Sequence, residues 1–277
     1  MDAAVPIMKP GKAGTTMFRS RPGRRGGRTA ALLAATLMLT LAGCGVDTVT
    51  PQAARADAGD DGKAGAGSRR VDCAEAKCIA LTFDAGPGKD TPHLLDVLKE
   101  KKVPATFFLL GRKHVDRYPK VVRRIADEGH EVANHTWSHR ILTDLDEGEV
   151  REELSRTQDA IEKITGRKPV LMRPPQGRTD STVSEVSREL GLAQVLWSIT
   201  AKDYSTTDSA LIRERVLTQA HRDGIILLHD IYDGTVPAVP GIIDELKRQG
   251  YTFVTVPELL APGTAHAGSV YRPEKDD

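Results

Sequence analysis

From Cys78 onward the apolar residues follow two alternating rhythms. Short continuous apolar runs at Cys78–Phe83, Ala105–Leu110 and Gly224–Leu228 read as strands buried on both faces. Shorter runs at Glu131–Asn134, Val170–Arg173, Gln194–Ser198 and Tyr251–Val254 read as further strands. Between them lie stretches with apolar residues at helical spacing. Thr91–Lys101 carries Leu94, Leu95 and Leu98, and Pro119–Glu128 carries Val121, Val122 and Ile125 before a Gly129 stop. Glu149–Thr165 carries Val150, Leu154, Ile161 and Ile164 before a Gly166 stop. Helices are also expected at Ser181–Leu190, Ser209–Ala220 and Pro240–Gln249. Strands alternating with helices predict an α/β fold with a parallel sheet and helices outside it. About seven such units in one domain predict a closed or nearly closed (β/α) barrel. An open doubly wound sheet is the alternative, and both folds place chemistry at the carboxyl ends of strands.

Upstream of this domain the pattern changes. Residues 1–28 hold seven basic groups and one acid, and an uncharged Leu/Ala-rich run follows from Thr29 to Gly43. This is the layout of a secretory signal, with a plain membrane anchor as the alternative. The run ends Leu41-Ala42-Gly43-Cys44, which resembles a bacterial lipobox. A cysteine placed there would carry the lipid at the membrane interface. Residues 45–72 are rich in Gly, Ala and Asp and lack aromatics, so they read as a flexible tether. The organisation expected is a signal peptide over 1–43, lipidated Cys44 and linker over 44–72, a catalytic domain over 73–260, and a loosely ordered polar tail over 261–277. Outside the cytoplasm, Cys73 and Cys78 are expected to form a local disulfide.

The polar residues that follow the strands carry the candidate chemistry. Asp84 follows the first strand, and His135 and His139 follow the strand at Glu131–Asn134. Arg173 ends the next, Asp203 comes shortly after the strand holding Trp197, and His229 and Asp230 end Gly224–Leu228. In a helical turn, residues i and i+4 share a face, so His135 and His139 would grip one metal ion. Asp84 and the His229-Asp230 pair also fit capping roles, and Arg173 also fits a structural salt bridge.

Together these residues resemble the polysaccharide deacetylase family, carbohydrate esterase family four. Its first motif, Thr-Phe-Asp-Asp-Gly-Pro, is matched at Thr82–Pro87 except at Ala85. Its second, His-Ser/Thr-x-x-His, is matched at His135–His139. Its third, Arg-x-Pro-x-Gly, is matched at Arg173–Gly177, with Gln176 where an aromatic is usual. Its fourth is matched in part, with Thr200 for the first acid, Asp203 kept, and Tyr204 for Trp. Its fifth, Leu-x-His, is matched at Leu227-Leu228-His229. The resemblance implies a deformed barrel holding a divalent metal, usually zinc, in an open groove at the rim. It implies Asp84 as base, Arg173 as its holder, His229 as acid and Asp203 as the residue orienting that acid. It further implies substrate contacts at Pro175, Gln176, Tyr204 and Leu227, with a backbone N–H near Gln176 serving the oxyanion. The activity implied is removal of acetyl groups, N-linked or O-linked, from a cell-envelope or extracellular polysaccharide.

Ala85 departs from that pattern. The family's second acid is a metal ligand, and alanine has no donor atom, so His135 and His139 stand alone. A non-catalytic glycan-binding lipoprotein is therefore the competing expectation. A phosphoesterase-type metal hydrolase is weaker, because it needs more acidic ligands than this rim supplies.

Composition sharpens the picture. The 277 residues carry a formal net charge of +1 and only three cysteines. That excludes a disulfide-scaffold fold and gives no reason to expect a nucleic-acid partner. No nucleotide cofactor is expected. Residues 44–277 alone hold 32 basic and 37 acidic groups, so the exported chain would be mildly acidic. The expected location is extracytoplasmic, anchored to the membrane through the lipid on Cys44, or secreted. The expected partners are an acetylated polysaccharide and the membrane.

Overall fold

The computed structural model describes residues 46–58 and 71–274. The leader, Cys44 and, within the linker, residues 45 and 59–70 fall outside the described residues. Ten strands form one sheet in which every ladder is parallel. The central strand is β2 (Cys78–Gly86), followed by β3 (Thr106–Leu109) and β4 (Glu131–Asn134). Next come β5 (Leu171–Met172) and β6 (Ala193–Val195). On its other side β2 pairs β8 (Gly224–Leu228), which pairs β7 (Ile199–Thr200), and β9 (Thr252–Val254) pairs the first half of β2. The helices α2 (Thr91–Lys101), α3 (Pro119–Asp127), α4 (Glu147–Thr165), α5 (Ser181–Glu189), α6 (Ser209–Gln219) and α7 (Thr235–Arg248) connect the strands. The result is the expected deformed α/β barrel.

Period-two alternation explains which residues face inward. In β2, Ile79, Leu81 and Phe83 join the large cluster packed under the helices. Cys78 and Ala80 join a second cluster of small and aromatic residues, with Phe108, Ala133, Ala193 and Tyr271. Thr82 and Asp84 continue the Cys78–Ala80 face toward the carboxyl end. The Cys73–Cys78 disulfide closes a short loop before β2.

Two expectations need correction. Part of the linker is built into the domain. Thr48–Val49 forms β1 and Pro51–Asp57 forms α1, with Thr50 Oγ1 accepting the Ala53 N–H as an N-cap. The tail is also ordered. After α8 (Val256–Leu260), residues Val270–Tyr271 form β10, which lies between β1 and β6. Tyr271 is 1% exposed, and its hydroxyl accepts the His266 N–H. Composition misled here because a two-residue strand needs no apolar run, only one side chain to bury. Smaller differences follow the same logic. α7 begins at Thr235 rather than Pro240 and keeps that proline inside it, and α4 begins two residues early on an Asp146/Glu149 capping box.

The built-in segment is locked by charge. Arg55 donates to Asp223 Oδ2 at 2.6 Å and to the Leu259 carbonyl at 2.8 Å. The two side chains are 9% and 1% exposed. Removing Arg55 leaves the buried Asp223 only a looser contact, 3.9 Å, with the partly exposed Arg222. Arg55→Ala should therefore cost about 3 kcal/mol of unfolding free energy. Equilibrium denaturation of residues 44–277 measures it, and a loss within ~0.5 kcal/mol of zero, the range of ordinary surface changes, would contradict the anchoring.

Candidate active site

The site is built from the carboxyl ends of β2, β4, β5, β6 and β8. Asp84 sits where the β2–β3 register shifts, at a bulge between Asp84 and Gly86. Ala85 occupies the bulge with φ +62°. A side chain at Gly86 would lie 2.2 Å from Asp230 Oδ1, so that close approach needs glycine.

Arg173 is fully buried beneath this bulge. Its Nη1 donates to Asp84 Oδ1 at 2.6 Å and to Thr82 Oγ1 at 2.8 Å. Its Nε donates to the Val195 carbonyl at 2.9 Å. The guanidinium lies 4.0 Å from the Phe108 ring centre and 5.6 Å from that of Trp197. Burial lowers the pKa of Arg173 and the Asp84 charge opposes it, but a guanidinium stays protonated throughout.

His135 and His139 do come together, with ring centres 4.9 Å apart. They do not do so on a helical turn. Thr136 and His139 have φ of +71° and +63°, so the segment is a folded loop. Asn134 Oδ1 accepts the Thr136 N–H and Glu153 accepts the Ser138 N–H. Gly111 and Arg112 donate to the Thr136 and Trp137 carbonyls. The loop is thus bonded on both sides, which replaces the helix as the device that aligns the rings.

His135 Nδ1 lies 2.8 Å from the Arg173 carbonyl. A carbonyl only accepts, so Nδ1 carries the proton and Nε2 presents a lone pair. That Nε2 is 3.9 Å from Asp84 Oδ2. Burial pushes His135 down to about 4 and also lowers His139, so both imidazoles are neutral near pH 7. Neutral imidazoles with a fixed tautomer are the donors a divalent cation needs. Among the described residues, however, no three His, Cys, Asp or Glu side chains form a metal-holding group. The donor chemistry fits a metal, but the set is one ligand short of a catalytic zinc site's usual three, the shortfall falling at Ala85.

On the other side stands a second hydrogen-bonded pair. Asp203, 1% exposed, accepts from the His229 backbone N–H at 2.7 Å and from His229 Nδ1 at 2.9 Å. Thr235 Oγ1 donates to the same carboxylate. Burial alone would lower the His229 pKa, but the Asp203 hydrogen bond and charge outweigh it and raise the value. The Asp84 charge is felt by His135, His139 and His229 alike, which places the three imidazoles in the field of one carboxylate.

The expected substrate contacts are placed unevenly. Gln176 is exposed at φ +58° in the turn Pro175–Gly177, while Pro175 is buried. With Gly177, Leu196, Trp197 and Arg272 it lines a cavity of about 180 Å³ beside the site. Tyr204 is 58% exposed, whereas Leu227 keeps only 6% of its surface.

Two rim residues escaped the sequence reading. Tyr232, 37% exposed, sets its ring 5.4 Å from His229, and Tyr204 sits at 6.2 Å. The two tyrosines flank the imidazole. Nothing in the spacing of Tyr232 marked it, since it lies in the loop after β8. Arg272 belongs to the tail that composition read as loose. Asp230 turns inward, bonded to Thr91 Oγ1, with Oδ1 unpartnered. Burial pushes it up to about 6.

Comparison with known proteins agrees with this geometry. A family model described as polysaccharide deacetylase matches residues 72–195. The chain is 42% identical over 184 residues to the peptidoglycan-N-acetylmuramic acid deacetylase PdaC of Bacillus subtilis, covering 66% of this chain and 38% of that protein. It thus spans about two fifths of that relative's length. It is 38% identical over 190 residues to a peptidoglycan-N-acetylglucosamine deacetylase of Bacillus cereus, covering 66% of this chain and 88% of the relative. The solved structure of T48 deacetylase with substrate superposes with a TM-score of 0.69 at 40% identity, covering 73% of this chain and 99% of that one. With identity at this level over most of a relative's length, and with the matched residues converging on one rim, the chain belongs to the polysaccharide deacetylase family.

Proposed function

We propose that this protein removes acetyl groups from the amino sugars of peptidoglycan, as a metal-dependent hydrolase outside the cytoplasm. The observation that carries the reading is the pairing of two differently prepared groups at one rim. Asp84 is held by Arg173, and His229 is held by Asp203. Asp84 Oδ1 is taken by the guanidinium, which leaves Oδ2 to accept a proton from water. The resulting hydroxyl adds to the acetyl carbonyl carbon. His229, kept protonated by Asp203, delivers its proton to the departing nitrogen as the C–N bond breaks. Acetate and a free amine are the products. A backbone N–H at the Gln176 turn serves the developing oxyanion. His135 and His139 would hold a divalent metal, zinc by preference, which when bound supplies Lewis-acid polarisation of the carbonyl. The exposed faces of Tyr204 and Tyr232 suit a sugar ring beside the acid.

The leader and lipobox support export and lipidation at Cys44. Among the described residues, no helix is long and apolar enough to cross a membrane.

Three outcomes test this reading. Folded protein should release acetate from N-acetylglucosamine oligomers or peptidoglycan in the presence of added divalent metal. His229→Ala should lower kcat/KM by roughly 10²–10⁴. Since the acid must be protonated, kcat/KM should fall as pH rises through the raised His229 value. Asp203→Asn removes the cause of that rise, so the basic limb should move to lower pH, and histidine NMR titration should show the same shift. An unmoved limb with an unmoved resonance would refute the pairing.

Ala85 favours one competing reading, a glycan-binding protein without catalysis. Ala85→Asp separates the two. The variant should bind zinc at least the ~10–100-fold tighter that even outer-sphere partners are worth, measured by chelator competition. If the native chain releases no acetate at saturating metal while the variant does, the binding reading stands and the enzymatic one falls.

A further inference from the structure

We infer that Arg272 makes this site selective for glycan that carries a carboxylate beside the acetylated amino sugar. Its guanidinium binds that carboxylate in the cavity next to the catalytic rim. This rests on the deacetylase reading above and names the class of glycan that the same site prefers.

The strand ladders place Arg272 at the rim. Gly86 of β2 is level with Leu109 of β3, and Leu109 with Asn134 of β4. Asn134 is level with Met172 of β5, Met172 with Gln194 of β6, and Gln194 with Val270 of β10. Arg272 comes two residues after Val270, so it lies beyond the level of Gly86, on the side of the carboxyl strand ends. Its backbone is held from both neighbouring strands. The Leu196 N–H donates to the Tyr271 carbonyl at 2.8 Å, and the Arg272 N–H donates to the Val49 carbonyl at 3.0 Å. Tyr271 and Pro273 on either side are buried, while Arg272 is exposed. An anchored backbone thus presents one charged side chain at the rim.

That side chain lines the cavity of about 180 Å³ formed with Gln176, Gly177, Leu196 and Trp197, and it is the one charged member of that lining among the described residues. Among the described residues its guanidinium forms no ion pair, so its charge is open to a ligand. Glu274, two residues on, does not line this cavity. Gln176 adds an amide with two donors. Leu196 and Trp197 supply largely apolar walls, which keep water off one side of an ion pair.

The cavity adjoins the reacting groups. Arg173, which holds Asp84, lies 5.6 Å from the Trp197 ring centre, and Gly177 packs against that ring, where a Cβ would sit 3.1 Å from Cη2. One indole thus separates the holder of Asp84 from the space that Arg272 lines. The cavity is smaller than the ~300–1,000 Å³ of pockets that enclose a whole small molecule. It suits a substituent of the sugar rather than a further sugar ring. A guanidinium grips a carboxylate through two parallel hydrogen bonds, which makes a carboxylate the substituent selected. Peptidoglycan offers that group from two sources, the lactyl arm of its muramic sugar and the peptide attached to that arm.

The test uses the protein with added divalent metal and two pairs of tetrasaccharides of alternating N-acetylglucosamine and N-acetylmuramic acid. The first pair carries free lactyl carboxylates or their methyl amides. The second carries a lactyl-linked peptide with its carboxylates free or amidated. Calorimetry measures binding, and acetate release gives kcat and KM. In at least one pair the native chain should bind the acid more tightly than the amide by about tenfold or more, as a hydrogen bond to a charged group provides. The pair that shows the preference identifies the source of the carboxylate. Arg272→Gln should erase the preference through KM, leaving kcat and the binding of the amide within about twofold. Arg272→Lys should keep only part of it, since a point charge lacks the paired hydrogen bonds. The native preference should also shrink between about 50 mM and 500 mM salt, because the guanidinium is exposed to screening. A native chain that binds acid and amide alike in both pairs overturns the proposal without recourse to any variant. So does an Arg272→Gln chain that keeps the preference, or one that loses affinity for the amide as much as for the acid. If no fragment yields acetate at saturating metal, the deacetylase reading fails, while the binding preference still decides the role of Arg272.

Discussion

A guanidinium with no exposed surface is the constraint around which this molecule is arranged. Arg173 directly follows β5, and its head group reaches Asp84 on β2 and the carbonyl of Val195 on β6. Three strand ends are thus joined through one charge. A buried cation left without its carboxylate costs several kcal/mol, so Asp84 must point inward at this place and no other. The same pair does chemical work, since the oxygen bonded to Arg173 is occupied and the remaining one faces His135. Its backbone takes part too, because the Arg173 carbonyl fixes the His135 tautomer. One residue therefore ties three strand ends together, orients the Asp84 carboxylate and fixes which nitrogen of His135 keeps its lone pair.

The barrel was legible because strand and helix rhythms are set by burial on two faces, and burial dominates the choice of residue at those positions. The convergence of Asp84, Arg173, His135 and His229 followed from the rule that parallel strands end at one rim. What failed to show was structure held by few residues. β1, β7 and β10 have two residues each, too few for any period, and α1 buries only Pro51 and Ala54. The His135–His139 loop was misread because i,i+4 spacing suggests a helix, whereas two positive φ angles and the Asn134 and Glu153 bonds produce the same proximity by another route. Tyr232 lies in a loop, where neither period applies.

Ala85 is the point where local and global requirements disagree. Its φ of +62° disfavours any residue with a β-carbon by roughly 1–2 kcal/mol, and aspartate or asparagine tolerate it better than alanine. Backbone geometry therefore gives no reason for alanine here, and nothing in the structure explains the substitution. The surroundings keep the alignment that the proposed reaction uses. Arg173 still aligns Asp84, the His135 tautomer is still fixed, and Asp203 still raises His229. A site kept only for binding sugar has no chemical use for an imidazole whose pKa a buried carboxylate raises.

In the proposed reaction the two ionisable pairs let one rim hold a base and an acid together. Asp84 meets a permanent cation, which takes one carboxylate oxygen and leaves the other facing His135. His229 meets a buried carboxylate, whose hydrogen bond and charge raise its pKa although burial alone would lower it. Both partners are more deeply buried than the groups they serve: Arg173 is 0% and Asp203 1% exposed, against 3% for the Asp84 side chain and 16% for that of His229. Burial of the partner removes competing water from the hydrogen bond, and the served group keeps the surface it needs to meet substrate. In the proposed reaction acid and base are thus held from behind, by partners more deeply buried than themselves.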